Sequence, residues 1–126
     1  MYPNVTKTVE DYEKMYPKRN LDAKAVVTRF APSPTGFVHM GSLLTAFVAR
    51  KATKDTNGIF YLRIEDTDGK RSVENGIEGI INDLKAFDIK FDEGALSETE
   101  EIGEYGPYIQ SKRIEIYHTF AKWLVE

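Results

Sequence analysis

The sequence contains no cysteine, which excludes a disulfide framework and any zinc site built from thiolates. No apolar run approaches the roughly 18 residues that a membrane-spanning helix needs, and the N-terminus has no signal-peptide pattern. We therefore expect no membrane partner, and the cytoplasm is the simplest compartment. The sequence also lacks Gly-x-x-x-x-Gly-Lys-[Ser/Thr], which excludes a P-loop ATPase, and Gly-x-Gly-x-x-Gly, which disfavours a dinucleotide-binding oxidoreductase.

The bulk composition is that of an ordered globular chain. Its 126 residues are 41% hydrophobic and 29% charged, and the formal net charge of −3 argues against a protein that is basic over its whole surface. We predict a division into an N-terminal extension, residues 1–24, and one domain, residues 25–126. Within the extension, Val9, Tyr12 and Met15 share a helical face, which predicts a short helix that begins after a Thr8 cap.

The most informative stretch joins an apolar segment to a helical pattern. Residues 25–30 have the near-continuous apolar character of a buried parallel strand. Pro32 and Pro34 then restrict the backbone to a stiff turn, while Gly36 and Gly41 allow a ligand to approach the main chain. A helix follows, and its first turn offers unpaired N–H groups that favour phosphate. A strand, a turn and a helix in this order are a candidate anion site, although such a turn can be only a connection.

The rest of the chain continues the alternation of strands and helices. Residues 59–65 are predicted to form a second strand, residues 91–104 an acidic surface loop, and the residues from near Ser111 onward a third helix. The order β-α-β-α-α is that of the first half of a nucleotide-binding sheet. The helix after Gly41 is predicted to bury Leu43, Leu44, Phe47 and Val48. The apolar positions of the second helix are Val73, Ile77, Ile80, Ile81, Leu84 and Phe87.

Three strings of residues point to a family. Residues 29–36 read Arg-Phe-Ala-Pro-Ser-Pro-Thr-Gly and lead into His-Met-Gly-Ser at 39–42; residues 62–68 read Leu-Arg-Ile-Glu-Asp-Thr-Asp, and residues 106–111 read Gly-Pro-Tyr-Ile-Gln-Ser. Together they resemble the signature of class I glutamyl-tRNA synthetases, over roughly residue 26 to the end. The resemblance implies an α/β fold: the first half of a Rossmann-like class I catalytic domain, with parallel strands and crossover helices, truncated before the acceptor-binding insertion.

That resemblance also implies an activity. The expected reaction is ATP-dependent ligation of glutamate to tRNA through a glutamyl-adenylate, with ATP as a substrate and Mg2+ accompanying the nucleotide. The expected partners are glutamate, ATP and tRNA. The chain is expected to be a fragment of a longer enzyme and to be inactive alone.

Several residues take expected roles in ATP binding and catalysis. His39 occupies the position of the family's first motif histidine and is the candidate catalytic residue, because it can donate to phosphate oxygens as charge develops. The resemblance places Ser33, Gly41 and Ser42 beside it in the ATP site. Ser42 replaces the second histidine of the motif and cannot supply an imidazolium.

A second group of residues fits a glutamate substrate. Arg29 ends the first strand and can grip a carboxylate, while Glu65 ends the neighbouring strand and can accept from an α-ammonium. Ala31 and Ser33 lie close enough to add backbone and hydroxyl contacts. The alternative is that Arg29 and Glu65 simply form an ion pair.

The acidic turn after the second strand carries a weaker expectation. Thr67 and Asp68 are candidates for contact with the tRNA 3′ end. Asp66 and Asp68 are typical of an ordinary turn, so no metal ligand is assigned to the protein, and Mg2+ is expected to be held through phosphates and water.

Two other functions stay open. One is a shortened synthetase paralogue that transfers glutamate to a modified tRNA base; its signature can also follow the motif glycine with Ser-Leu, as Ser42 and Leu43 do here. The other is a nucleotide-binding module without catalysis.

Overall fold

The computed structural model describes residues 2–126. A four-stranded sheet in the order β1-β2-β3-β4 forms its centre. Its strands are β1 Val27–Phe30, β2 Ile59–Leu62, β3 Glu93–Ala95 and β4 Glu101–Ile102. The helices are α1 Val9–Met15, α2 Met40–Thr56, α3 Gly76–Ala86 and α4 Ile114–Val125, with a 3-10 turn at Gln110–Arg113 directly before α4.

The first three strands are parallel, and helices connect them. β1 pairs with β2 in a register that sets Arg29 beside Tyr61, and β2 pairs with β3 with Tyr61 beside Glu93. Helices α2 and α3 are the two crossovers, so the predicted α/β fold with parallel strands is confirmed. Within residues 2–126, no helix combines the length and the apolar character needed to cross a bilayer.

One face of the sheet carries the core. Alternate residues of β2 and its extension, Phe60, Leu62 and Ile64, are fully buried, as expected for side chains of strand period two. Helices α2 and α3 cover this face with buried side chains, among them Leu43, Ala46, Ile77, Ile80, Ile81 and Leu84.

The prediction for the buried face of α2 is wrong at three positions. Leu43 is buried, but Leu44, Phe47 and Val48 are 55–62% exposed. The helix instead turns Leu43, Ala46 and Thr53 towards the sheet. Small Ala46 allows the helix to approach the strands closely. The buried face that contains Ala46 lies next to the exposed face of Leu44, Phe47 and Val48, and both faces have apolar residues at helical spacing. Apolar spacing alone therefore did not identify the buried face.

The prediction of an acidic loop at residues 91–104 is also wrong, because β3 and β4 lie there. β3 pairs with β2 and then turns back to pair with β4 in antiparallel orientation. Acidic residues and glycine are depleted in strands, so local preference argued against this pairing. Contacts with the rest of the sheet outweigh that preference, since Gly94 and Ala95 are buried against β2.

The expected short helix of the N-terminal extension is present. Thr8 caps α1 with a capping box in which Thr8 and Asp11 exchange hydrogen bonds. In the second predicted helix, by contrast, Val73 and Phe87 lie outside α3 and are exposed.

Two tyrosine hydroxyls attach the segment after α1 to the body of the protein. The Tyr16 hydroxyl donates to the Gly106 carbonyl oxygen at 2.5 Å, and the Tyr105 hydroxyl donates to the Pro17 carbonyl oxygen at 2.6 Å. The extension is therefore part of the folded structure.

Candidate functional site

The candidate site lies where β1 and β2 end. Beyond the strands, the Arg63 N–H donates to the Phe30 carbonyl oxygen at 3.0 Å, and the Glu65 N–H donates to the Pro32 carbonyl oxygen at 2.9 Å. These bonds continue the parallel ladder into the proline turn. As a result, the residues just after both strands are held side by side at the carboxyl edge of the sheet, which is where open α/β sheets bind ligands.

Arg29 and Glu65 meet at this edge. The Arg29 Nη1 atom lies 3.6 Å from the Glu65 Oε1 atom, and both side chains keep about a third of their surface open to solvent, 39% and 33%. The pair is an open ion contact rather than a tight hydrogen bond. A contact at this distance and exposure contributes little to stability, so a substrate with complementary charges could replace it.

A second guanidinium, which the sequence reasoning missed, flanks Glu65. The Arg63 Nη2 atom also lies 3.6 Å from Glu65 Oε1, and the Arg63 side chain is only 18% exposed. Positions 61, 63 and 65 alternate with the buried core residues and therefore share the other face of the sheet. That period-two pattern was the available signal for Arg63.

The proline turn is anchored to α3 and to the segment that precedes it. The Val73 N–H donates to the carbonyl oxygen of buried Pro34 at 2.9 Å, and the Val38 N–H donates to the Asp83 carboxylate at 3.0 Å. Gly36 adopts a φ of +133°, which favours glycine. Asp83 was not among the predicted site residues; only the fold brings it to the turn from α3. These contacts fix how the chain enters α2.

The predicted nucleotide-site residues lie at the beginning of α2. His39 is the N-cap residue, its side chain makes no capping hydrogen bond, and it is exposed. Gly41 and Ser42 occupy the first turn, and the space around Gly41 is open enough that an added Cβ would meet no atom within 4 Å. Ser33 is exposed in the turn and Ala31 is half-buried. The N-terminal end of this 17-residue helix is therefore accessible, and its dipole favours an anion there.

The acidic turn has structural partners. The Asp66 carboxylate accepts from the Ser111 backbone N–H at 2.8 Å and from the Ser111 hydroxyl at 2.5 Å, which attaches the turn to the segment before α4. Asp68 accepts from the Arg71 Nε–H at 2.5 Å, and Thr67 is exposed. In residues 2–126, no three side chains of His, Cys, Asp or Glu are grouped as a metal site.

A second electrostatic cluster lies where the extension meets β3. Both Nη atoms of Arg19 donate to the Glu93 carboxylate, which also accepts from the Tyr108 hydroxyl at 2.8 Å. The bonds from Arg19 hold the pKa of Glu93 below its ordinary value of 4.5, and burial raises the pKa of Tyr108. The Arg19 guanidinium also lies 3.8 Å from the centre of the Tyr105 ring. We call Arg19, Glu93, Tyr105 and Tyr108 the N-terminal latch.

A parallel β-α-β unit with charged residues at the carboxyl ends of its strands is the architecture of an α/β nucleotide-binding protein. The family model described as tRNA synthetases class I (E and Q), catalytic domain, matches residues 25–126. The chain belongs to this family, and the resemblance drawn from the sequence strings is confirmed.

Curated relatives and solved structures agree. The chain is 55% identical over its whole length to a glutamate–tRNA ligase of Acetivibrio thermocellus, of which it covers 23%; over 88% of its length it is 47% identical to the mitochondrial glutamate–tRNA ligase of Schizosaccharomyces pombe, of which it covers 20%. A solved glutamate–tRNA ligase from Elizabethkingia meningosepticum, in complex with its amino acid, matches 81% of this chain with 40% identity and a TM-score of 0.70, and the match covers 19% of that structure. The chain thus spans about a quarter or less of these relatives.

Proposed function

We propose that the chain supplies the glutamate site and part of the ATP site of an enzyme that ligates glutamate to tRNA. The observation that carries the proposal is the open contact between Arg29 and Glu65, 3.6 Å apart at the ends of adjacent parallel strands. Glutamate carries carboxylates and an α-ammonium, so it can satisfy both groups at once: Arg29 grips a carboxylate and Glu65 accepts from the ammonium. The Elizabethkingia relative, solved with its amino acid, supports the same substrate.

The proposed reaction has two steps. A carboxylate oxygen of glutamate attacks the α-phosphorus of ATP, an O–P bond forms, and the bond to pyrophosphate breaks. A ribose hydroxyl at the tRNA 3′ end then attacks the acyl carbon, and AMP leaves. Neither step needs a nucleophile from the protein, so the contribution of these residues is to orient the reactants and stabilise charge.

The residues at the start of α2 take the nucleotide in this proposal. His39 has a side chain free of capping bonds at the N-terminus of α2, and from there it donates to phosphate oxygens as their charge increases. In the same proposal, Gly41 and Ser42 of the first turn of α2 contact the ATP together with Ser33 of the proline turn, and Ala31 contacts the glutamate. Mg2+ accompanies ATP through phosphates and water. Contact of Thr67 and Asp68 with the tRNA 3′ end stays a prediction.

The proposal can be tested in a full-length chimeric enzyme that contains this chain. We would substitute it for the aligned segment of the Acetivibrio thermocellus ligase and measure aminoacylation of tRNA with glutamate. Arg29→Ala should raise KM for glutamate at least tenfold and change KM for ATP less than threefold, because Arg29 contacts only the amino acid. His39→Ala should lower kcat about a hundredfold, the size expected when a donor to developing charge is removed. Lys85→Ala, at an exposed position of α3, is the matched control.

Two results would contradict the proposal. An active chimera whose glutamate KM is unchanged by Arg29→Ala would remove the glutamate role of Arg29. An equal rise of KM for glutamate and ATP would also remove that role, because Arg29 would then not act on the amino acid in particular. Glutamate transferred to a tRNA base, rather than to the 3′ end, would favour the modification paralogue.

A further inference from the structure

The N-terminal extension contacts the domain in two places. Helix α1 packs against α4, whereas the part of the extension after α1 contacts one short segment, residues 105–108. The Tyr16 hydroxyl donates to the Gly106 carbonyl oxygen at 2.5 Å, and the Arg19 guanidinium lies 3.8 Å from the centre of the Tyr105 ring. The extension is outside the residues that the family model matches, so these contacts are an addition to the domain.

Glu93 connects Arg19 to the same segment. Its carboxylate accepts from both Nη atoms of Arg19 and from the Tyr108 hydroxyl, the last at 2.8 Å. Tyr108 is only 2% exposed, and its hydroxyl also accepts from the Tyr105 N–H at 3.0 Å. The N-terminal latch therefore fixes Tyr108 at its hydroxyl as well as through the packing of its ring.

Tyr108 is also bonded to the continuation of β2. The Ile64 N–H donates to the Tyr108 carbonyl oxygen at 2.8 Å, and the Ile64 carbonyl oxygen accepts from the Gln110 N–H at 2.9 Å. Ile64 has no exposed surface and forms a parallel bridge with Ile109. Because Ile64 is bonded through both backbone groups in a close-packed interior, its position follows that of the segment that contains Tyr108.

Glu65 lies between two residues that this segment holds. Ile64 is on one side; on the other, the Asp66 carboxylate accepts from the N–H and the hydroxyl of Ser111 at 2.8 Å and 2.5 Å. Among residues 2–126, the Glu65 carboxylate itself is held only by the two ion contacts of 3.6 Å at the candidate site. The backbone on either side of Glu65 therefore sets where this carboxylate lies.

We propose that the N-terminal extension positions Glu65 for the α-ammonium of glutamate, with Tyr16 and Arg19 as positioning residues that act through residues 105–111. The inference rests on the proposed function, which gives Glu65 its role. Glu65 contacts the amino acid and not the nucleotide in that function. Loss of the bonds from the extension should therefore weaken the binding of glutamate and leave the chemical step almost unchanged.

The first readout is the kinetics of the full-length chimera. Arg19→Met and Tyr16→Phe should each raise KM for glutamate at least threefold, while kcat and KM for ATP change less than twofold. A purely structural loss would reduce the amount of folded enzyme instead, which lowers the apparent kcat and leaves KM unchanged. Lys7→Met is the matched control, because it removes a contact of the extension with Glu115 in α4 and should leave KM for glutamate unchanged.

A double substitution tests whether the effect depends on Glu65. Glu65→Gln should itself raise KM for glutamate at least tenfold, and addition of Arg19→Met should raise it no further, because the positioned group has lost its charge. A full additional rise would overturn the inference. So would an unchanged KM in Arg19→Met when Glu65→Gln raises it, a result that leaves the proposed function standing. If Glu65→Gln leaves KM unchanged, the role of Glu65 fails and the inference fails with it.

Hydrogen exchange of the 126-residue chain gives a second readout that needs no catalysis. In Arg19→Met, the backbone N–H groups of Ile64 and Gln110 should exchange at least fivefold faster than before, relative to the change at the Ile81 N–H in α3. The Ile81 group reports global unfolding, so the ratio isolates local opening. An equal change at all three groups would overturn the inference. If Arg19→Met fails to fold, Tyr16→Phe, which removes a single oxygen atom, gives the same comparison.

Discussion

Replacing Arg19 by methionine should remove the N-terminal latch. The change deletes both bonds to Glu93 and leaves that carboxylate, whose side chain is only 13% exposed, without its cation. Breaking a fully buried pair costs about 3–5 kcal/mol, and Arg19 itself is 19% exposed, so we reduce the expected loss to about 2–3 kcal/mol. Methionine retains the apolar contact with the Tyr105 ring, which confines the loss mainly to the ion pair.

The expected change in melting temperature follows from chain length. An unfolding entropy of about 2.1 cal/mol/K per residue, over 126 residues, means that 1 kcal/mol corresponds to about 4 °C. Arg19→Met should therefore lower Tm by about 8–12 °C, measured by circular dichroism. Arg71→Met is the matched control, because the Arg71 side chain is 76% exposed and its pair with Asp68 should contribute below about 1 kcal/mol.

The pH dependence gives the same prediction an independent test. The bonds from Arg19 lower the pKa of Glu93 in the folded protein below its ordinary value of 4.5. The stability that this pair contributes is therefore fully present above about pH 4.5 and is lost as the pH falls through the pKa of Glu93 in the folded protein. The stability difference between the unsubstituted protein and Arg19→Met should therefore be constant near pH 7 and shrink below about pH 4.5. A loss equal to that of Arg71→Met, or a difference that does not change with acid, would refute the reasoning.

Two further substitutions test the fold. Gly58→Ala should prevent folding, because its Cβ would lie 1.8 Å from the backbone oxygen of Val26. Gly79→Ala is the control: the space there is open, so it should raise stability by up to about 1 kcal/mol in urea unfolding. A folded Gly58→Ala protein would contradict the close approach of Gly58 to Val26. Phe60→Ala should cost about 3–5 kcal/mol in the same assay because the ring is fully buried, and a loss below 1 kcal/mol would place the core elsewhere.

Sequence reasoning predicted the parallel β-α-β unit because its signals are local. Apolar runs, turn residues and helical spacing each act within a few residues. Since parallel strands end at one edge of a sheet, the positions of Arg29 and Glu65 also implied that they would lie close together. Their contact at 3.6 Å agrees with that expectation, while their roles in binding stay predictions.

Features that depend on distant partners were decided only by the tertiary structure. The apolar pattern of α2 allowed several faces, and contact with the sheet selected the one with Ala46. β3 forms despite its acidic residues because β2 supplies its hydrogen bonds and Arg19 neutralises Glu93. The N-terminal latch joins Arg19 to Glu93, which are 74 positions apart. No local pattern encodes such a meeting, since it depends on how the whole chain packs.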